Sequence, residues 1–347
     1  AQQPRADIRP GPRRQSSVRV VMPVMNVLLT CAGRRNYLVR YFRQALGGRG
    51  QVFAADASPH APALQEADAA YLVPSVDHPE YIDVLRSLCR EHSVRLLLSL
   101  NDLELPVLAQ HRNAFADDGT IAVVSSPAVI ATCFDKWATC RWLQSKNVTA
   151  PRTFKTLADA YQALERGQIQ FPLVVKPRWG TASIAIHTAR DREDLELYYR
   201  VTQRELGQSM LSQVSEPDGA HAILVQEGLE GDEFGLDIVN DLDGRYVCTF
   251  VKRKLAMRAG ETDRAITVAS ADLQCLGQRI GRALGHVGNL DCDIFVVDGT
   301  PYVLEMNPRF GGGYPFSHAA GANIPAAIVA WAAEEPVDPA WLQIRSG

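Results

Sequence analysis

Apolar and polar positions along this chain follow two alternating periods. Short apolar runs at 26–30, 52–56, 70–73, 95–100 and 121–124 have the length of buried strands. Between them, residues 36–46, 81–92 and 107–115 repeat apolar side chains at helical spacing. Tyr37, Leu38, Tyr41, Phe42 and Leu46, for example, share one helix face. Strands alternating with helices predict a parallel, helix-covered sheet of the doubly wound kind over about 100 residues. Gly33 and Arg34 follow the first run, Asp56 closes the second, and Asn101 and Asp102 follow the fourth. Such strand ends are where these folds bind ligands. A surface role for Arg34 and Arg35 fits the sequence as well, and the lone Gly33 is no dinucleotide fingerprint.

Beyond residue 126 the pattern changes. Residues 135–143 read as an amphipathic helix, with Phe134, Trp137, Ala138, Arg141 and Trp142 in register. Lys136 stands at its start, against the helix dipole, so it either faces solvent or meets an anion. Runs at 173–176 and 184–187 flank a loop containing Arg178, Gly180, Thr181 and Ser183. Small residues at a strand tip let backbone N–H groups wrap a phosphate; a purely structural hairpin loop is the other reading. Lys176 ends an apolar strand, where a cation needs a partner. A polar helix at 191–204 precedes a strand, connection and strand over 221–239, and a nucleobase could lie along that connection. Asp243-Gly244 is a hairpin turn leading to a strand at 246–254 with a basic end, Lys252-Arg253-Lys254. A polar loop at 260–264, a strand at 265–269, a helix at 271–284 stopped by Gly285 and a last helix at 319–333 follow.

The stretch from Asp291 to Gly313 carries the most chemistry. Apolar runs at 294–297 and 302–306 flank the turn residues Asp298, Gly299, Thr300 and Pro301, which predicts a hairpin. Alternation puts Asp291 and Asp293 on one face, and Glu305, Asn307 and Arg309 on one face of the partner strand. Pairing can bring these hard oxygens together, a set suited to Mg²⁺ holding a polyphosphate. Solvated surface acids are the other reading for the aspartates. Glu305 fits that reading less well, because it lies between Leu304 and Met306 and a glycine-rich turn follows.

Composition narrows the field. The 347 residues are 46% hydrophobic and carry a formal charge of -3, so bulk charge points to neither nucleic acid nor an anionic membrane. The longest apolar runs fall short of the roughly 20 residues that a spanning helix needs. Seven cysteines without CxxC or zinc spacing suggest reduced thiols and a cytoplasmic location. Residues 1–23 hold Arg5, Arg9, Arg13, Arg14 and Arg19 among prolines and read as a leader or a flexible basic arm, outside the fold.

Glu305-Met306-Asn307-Pro308-Arg309 with Gly311-Gly312-Gly313, Lys176-Pro177 with its loop, and residues 260–269 resemble the ATP-grasp superfamily. The likeness is strongest to the carbamoyl-phosphate-synthase large-chain-like, carboxylate–amine ligase branch, and it covers about residues 26–335. It implies a Rossmann-like (pre-ATP-grasp) domain at 24–126, a linker helix and lid subdomain at 127–227, and a C-terminal α+β subdomain at 228–347. ATP would lie between the lid and the last subdomain. The resemblance assigns ATP binding to Lys136, Lys176, Thr181, Ser183, Gln226, Glu227, Gly228, Leu229, Glu233 and Arg253. It assigns Mg²⁺, as two ions or with Mn²⁺ in their place, to Asp293, Glu305 and Asn307. Asp291 is the second choice, because Asp293 fits one family spacing and Asp291 the pattern of a ligand two residues after an Asn. Arg309 and Lys176 take catalytic roles, while Arg264, Gly312, Gly33 and Arg34 are candidates for substrate contact. Ala182 and Ala185 depart from the family's glycines. The implied chemistry is ATP-dependent activation of a small carboxylate and its joining to an amine or ammonia, with ADP as product. A bicarbonate-using enzyme like carbamoyl phosphate synthase and a non-catalytic ATP-binding module are the alternatives. Relatives of this kind are often homodimers.

Overall fold

The structure is a computed structural model that describes residues 24–180, 185–209, 211–258 and 260–347. The basic arm at 1–23 lies outside the described residues, as do Thr181, Ala182 and Ser183.

Strands β1 (Asn26–Thr30), β2 (Val52–Asp56), β3 (Ala69–Leu72), β4 (Val94–Ser99) and β5 (Ile121–Ala122) form a parallel sheet in the order β3-β2-β1-β4-β5. Every residue of β1 is buried, as a central strand covered on both faces requires. The helix Asn36–Leu46 turns Leu38, Val39, Phe42 and Leu46 into the core and ends at Gly47, whose φ of 55° suits glycine. β5 is shorter than the apolar run at 121–124 suggests. Val123 still donates to the Leu97 carbonyl, and Val124 turns back on Ala122 before the next helix.

Two helices lead away from this sheet. Pro127–Phe134 is capped by Ser126, and Lys136–Ser145 is capped by Asp135, whose side chain accepts from the Trp137 N–H. Sequence periodicity merged Phe134 and Asp135 into the second helix. The extended Asp135 (φ -94°, ψ 107°) separates them instead.

A four-stranded antiparallel sheet follows, with β6 (Thr153–Phe154), β7 (Leu173–Pro177), β8 (His187–Ala189) and β9 (Ile223–Glu227) in the order β6-β9-β7-β8. β8 begins at His187 rather than at the expected 184, because its register is set by His187 opposite Val175. Leu173, Val175, Ile223 and Val225 bury one face of this sheet against the helices Leu157–Glu165 and Arg192–Gly207.

The last sheet holds β10 (Asp232–Asn240), β11 (Tyr246–Arg258), β12 (Glu261–Thr267), β13 (Gly288–Val297) and β14 (Thr300–Asn307), antiparallel in the order β12-β11-β10-β13-β14. The helix Ala271–Leu284 packs Leu273, Leu276 and Ile280 against Leu236, Ile238 and Leu290. Three expectations are corrected here. Residues 260–264 were expected as a loop, yet Glu261–Thr267 is an edge strand on β11, where polar side chains face water. Thr300 and Pro301 were expected in the turn, but the hairpin turns on Asp298 and Gly299 alone, with φ of 47° and 78°. The expected single helix at 319–333 is two, Tyr314–Ala319 and Ile324–Ala332. Gly321 at φ 127° breaks it and the Asn323 side chain caps the second.

The first and last sheets are not independent. Leu38, Phe42, Val239, Phe310, Tyr314 and Ile328 belong to one hydrophobic cluster. The ends of β1 and β4 are thereby fixed beside the turn that follows β14.

Candidate active site

A cavity of about 480 Å³ opens between the four-stranded sheet and the last sheet. Its floor is the β13–β14 hairpin. Antiparallel register sets Asp291 opposite Asn307 and Asp293 opposite Glu305. Asn307 donates to Glu305 at 3.3 Å. Burial raises the Asp293 carboxyl above the usual range; Lys254 opposes this, while Asp291 and Glu305 add to it.

Two lysines approach this floor from the other side. Lys136 is buried, donates from Nζ to the Gly180 carbonyl at 2.7 Å and stands 3.7 Å from Glu305. Of the two readings open for it, solvent exposure is thus excluded. Lys176 is buried at the end of β7, where it donates to Gln226 Oε1 at 2.6 Å. Gln226 in turn donates to Thr153. Burial and the neighbouring Lys136 lower the Lys176 pKa to about 8 against the pull of Glu305.

The connection after β9 brings Gln226, Glu227 and Leu229 to the cavity wall. Gly228 sits between them with its would-be Cβ 2.4 Å from the Pro172 carbonyl oxygen, an approach that only glycine permits. Glu233 lines the same wall and accepts from Lys254 Nζ at 2.8 Å; the same ammonium reaches Asp293 at 2.8 Å. Burial draws the Lys254 pKa down, but Asp293 and Glu233 more than offset it and the net shift is upward. Arg309 is held by Asp102 at 2.8 Å and Asp291 at 3.1 Å, which outweigh burial and raise its pKa. Gly312 also lines the cavity.

Other candidates are not brought here. Arg253 turns to the opposite face of β11 and pairs with Asp232 at 2.6 Å, half exposed. Successive strand residues point to opposite sides, so Lys252 and Lys254 face the cavity and Arg253 cannot. Arg264 is exposed on the edge strand. Gly33 donates its N–H to Asp56, and Arg34 does not line the cavity but is exposed at its rim, 3.7 Å from the cavity-lining Glu261. Thr181 and Ser183 lie outside the described residues. Sequence reasoning passed over Lys254, Lys252, Glu261 and Thr262, all of which line the cavity. The period-two pattern of Lys252 and Lys254 was the available signal.

The donor set suits a divalent cation. Asp293, Glu305 and Asn307 bring oxygen donors to adjacent positions of one hairpin, and burial beside like charges makes the Asp293 carboxylate costly without a cation. Among the described residues no group of three or more His, Cys, Asp or Glu side chains is drawn together as a ready cage. A cation here would therefore rely on Asn307 and on oxygens of a bound ligand.

A helix-covered parallel sheet, a small antiparallel sheet and a larger antiparallel sheet frame this lysine- and acid-lined cleft. Residues 133–313 match the ATP-grasp domain, and residues 27–124 match the PylC-like N-terminal domain. The chain belongs to the ATP-grasp family, whose members are ADP-forming ligases. It is 25% identical over 260 residues to the carbamoyl phosphate synthase large chain of Deinococcus deserti, which is 72% of this chain and 23% of that protein. The chain thus spans about a quarter of the length of that relative. Among solved structures, it resembles the biotin carboxylase domain of Hydrogenobacter thermophilus 2-oxoglutarate carboxylase, a complex with MgADP, ADP and bicarbonate. The TM-score is 0.71 at 16% identity, covering 90% of this chain and 70% of that one. It also resembles an L-amino acid ligase from Bacillus licheniformis, with TM-score 0.69 at 21% identity, covering 91% and 76%. At these identities the structural likeness speaks to fold. Among the described residues no helix is long and apolar enough to cross a membrane.

Proposed function

We propose that this chain is an ATP-dependent ligase that activates a small carboxylate as an acyl phosphate and joins it to an amine or ammonia. In the first step a carboxylate oxygen attacks the γ-phosphorus of ATP and ADP leaves. In the second the amine attacks the acyl carbon, phosphate leaves and an amide remains. The observation that carries this reading is Lys136 standing 3.7 Å from Glu305 across the cleft, with Lys176 behind it. Two ammonium groups facing an acidic hairpin form a site for a polyphosphate with its cation.

In this reading Lys136 and Lys176 bear on the phosphates, Gln226, Glu227, Gly228 and Leu229 border the base, and Glu233 meets the ribose. Asp293, Glu305 and Asn307 would hold Mg²⁺, which neutralises charge as two anions approach. Two ions, or Mn²⁺ in their place, fit the same donors. Asp293 is preferred to Asp291 because it stands opposite Glu305; each is already paired with a cation, Asp293 with Lys254 and Asp291 with Arg309. Arg309, held by two carboxylates, positions the acyl group and meets its oxyanion. The lid's closure would keep water from the mixed anhydride.

The test is ADP release by the purified chain with MgATP across amino acids, small carboxylic acids and amines. Acid-dependent ADP formation with an amide product supports the reading. Tight ATP binding without ADP from any pair would make the chain a binding module instead. The likeness to carbamoyl phosphate synthase favours a second reading, with bicarbonate as the acid, and carbamoyl phosphate among the products would decide for it.

A further inference from the structure

Two guanidinium groups converge on one backbone oxygen in this cleft. Arg35 and Arg309 both donate to the Phe310 carbonyl, the latter at 3.4 Å. Arg309 is balanced by Asp102 and Asp291. Among the described residues no carboxylate lies within 4.0 Å of Arg35. Burial and the neighbouring Arg309 disfavour its charge more than Tyr37, Asp102 and Asp291 favour it. Arg35 also occupies the N-cap of Asn36–Leu46, a helix with no acidic residue in its first turn. A cation there opposes the helix dipole as Lys136 does at its own helix, so the local field at both places calls for an anion.

What surrounds Arg35 shows where that anion would lie. Past Arg309 and Phe310 the turn after β14 ends in three glycines, over which neighbouring side chains close. Tyr37 donates to the Gly311 carbonyl at 3.3 Å. The Glu261 carboxyl carbon is 3.5 Å from a would-be Cβ on Gly312, and Lys252 Cε 2.7 Å from one on Gly313. Lys252 is neutralised by Asp237 at 2.6 Å, which leaves Arg35 as the cavity-lining cation of this end without a carboxylate partner among the described residues. The contacts run from Lys136 to Glu305, Asn307, Asp291, Arg309 and Phe310, and Arg35 joins this series at Phe310.

We propose that Arg35 receives a carboxylate that stays free throughout the reaction, so that one of the two substrates carries such a group beside its reacting one. That class comprises dicarboxylic acids as the activated partner and amino acids as the amine. The inference rests on the ligase reading above and adds the residue that selects the substrate.

The experiment compares wild type, Arg35→Gln and Arg35→Lys in ADP release with MgATP. The panel holds dicarboxylic acids and amino acids, each beside its mono-amide or α-amide, with simple monocarboxylic acids and alkylamines as controls. Thermal stabilisation by MgATP confirms that each variant keeps its nucleotide site. Wild type is expected to need the free carboxylate. Arg35→Gln should raise KM for that substrate about ten- to a hundredfold, the loss typical of a hydrogen bond to a charged group, and should cease to distinguish acid from amide. KM for ATP should stay within twofold, and Arg35→Lys should fall between. Equal use of acid and amide by wild type, or an unchanged KM in Arg35→Gln, overturns the proposal while leaving the ligase reading intact. Absence of turnover with every pair overturns both. The arm that responds, acid or amine, identifies which substrate bears the group.

Discussion

Asp293 stands directly opposite Glu305 across the β13–β14 hairpin, and two residues along Asp291 stands opposite Asn307. Like charges held this close are unfavourable alone, and Lys254 on one side and Lys136 on the other reach in to relieve them. Glu305→Gln keeps the shape and removes one charge. Its removal relieves Asp293 but takes a counter-charge from buried Lys136, two effects of opposite sign, so folding stability should change by no more than about 1 kcal/mol. ADP release, by contrast, should fall on the order of a hundredfold or more. Denaturant melts and a coupled ADP assay separate the two. Turnover at the wild-type rate would remove Glu305 from the site.

Lys176 offers a pH signature. Its ammonium loses its proton near pH 8 rather than at the usual 10.5, because burial and Lys136 disfavour the charge. A polyphosphate would favour the charged form, so above pH 8 binding must take up a proton. ATP affinity should then fall as pH rises from 8, by up to about tenfold per unit. For the free protein the sign is opposite. The unfolded chain holds the proton up to about 10.5, so between 8 and 10.5 stability should rise with pH on this account. Calorimetric titration from pH 7 to 9.5 reads the first effect. In Lys176→Gln the affinity should be weak throughout and the slope flatter; equal slopes in both proteins would exclude Lys176 from the phosphates.

The buried pair Lys252–Asp237 makes a claim about stability. The two meet at 2.6 Å at almost zero exposure, and Ser317 and Asn289 also donate to Asp237. Removing one partner of a buried pair leaves an unsolvated charge, which costs about 3–5 kcal/mol. Asp237→Ala should therefore lower the denaturant midpoint steeply. Replacing both residues, as Lys252→Met with Asp237→Leu, should recover most of the loss. A double variant as unstable as the single would show that packing, not charge, sets the cost.

Much of the fold could be read in the sequence where local and tertiary preferences agree. The helices Asn36–Leu46 and Ala271–Leu284 and the strand Val52–Asp56 occur at the bounds that periodicity gives. Periodicity failed where a tertiary partner overrode it. Glu261–Thr267 is polar enough to read as loop and becomes a strand because β11 supplies its hydrogen bonds. Lys136 could be placed at a helix start but not assigned a direction, since what lies above it comes from Gly180 and Glu305, 44 and 169 positions along the chain. The resemblance points to Arg253 rather than Lys254 in a run of three basic residues, although strand alternation separates the middle one from its neighbours. Arg35 reads only as a surface arginine beside Arg34, because its meaning comes from Phe310, 275 residues away.

Glycine at 311 can be tested for a role distinct from turn flexibility. A Cβ there would lie 2.1 Å from Asp291 Cγ and 2.2–2.3 Å from its two oxygens, so one of the groups must move. Asp291 is not free to do so cheaply, because it holds Arg309 at 3.1 Å. Gly311→Ala should therefore push Asp291 off Arg309, leave that buried guanidinium with less counter-charge, and cost about 1–3 kcal/mol from crowding. ADP release should fall with it, since both residues line the cleft. Gly299→Ala is the control. Gly299 sits at φ 78° with nothing within 4 Å of a Cβ, so the expected cost is backbone strain of about 1–2 kcal/mol. Its turnover should match wild type once the protein is folded. Two variants with similar melting points but different activity would locate the defect at Asp291 and Arg309. Equal activity in both would mean that the Asp291–Arg309 contact is not needed for the reaction.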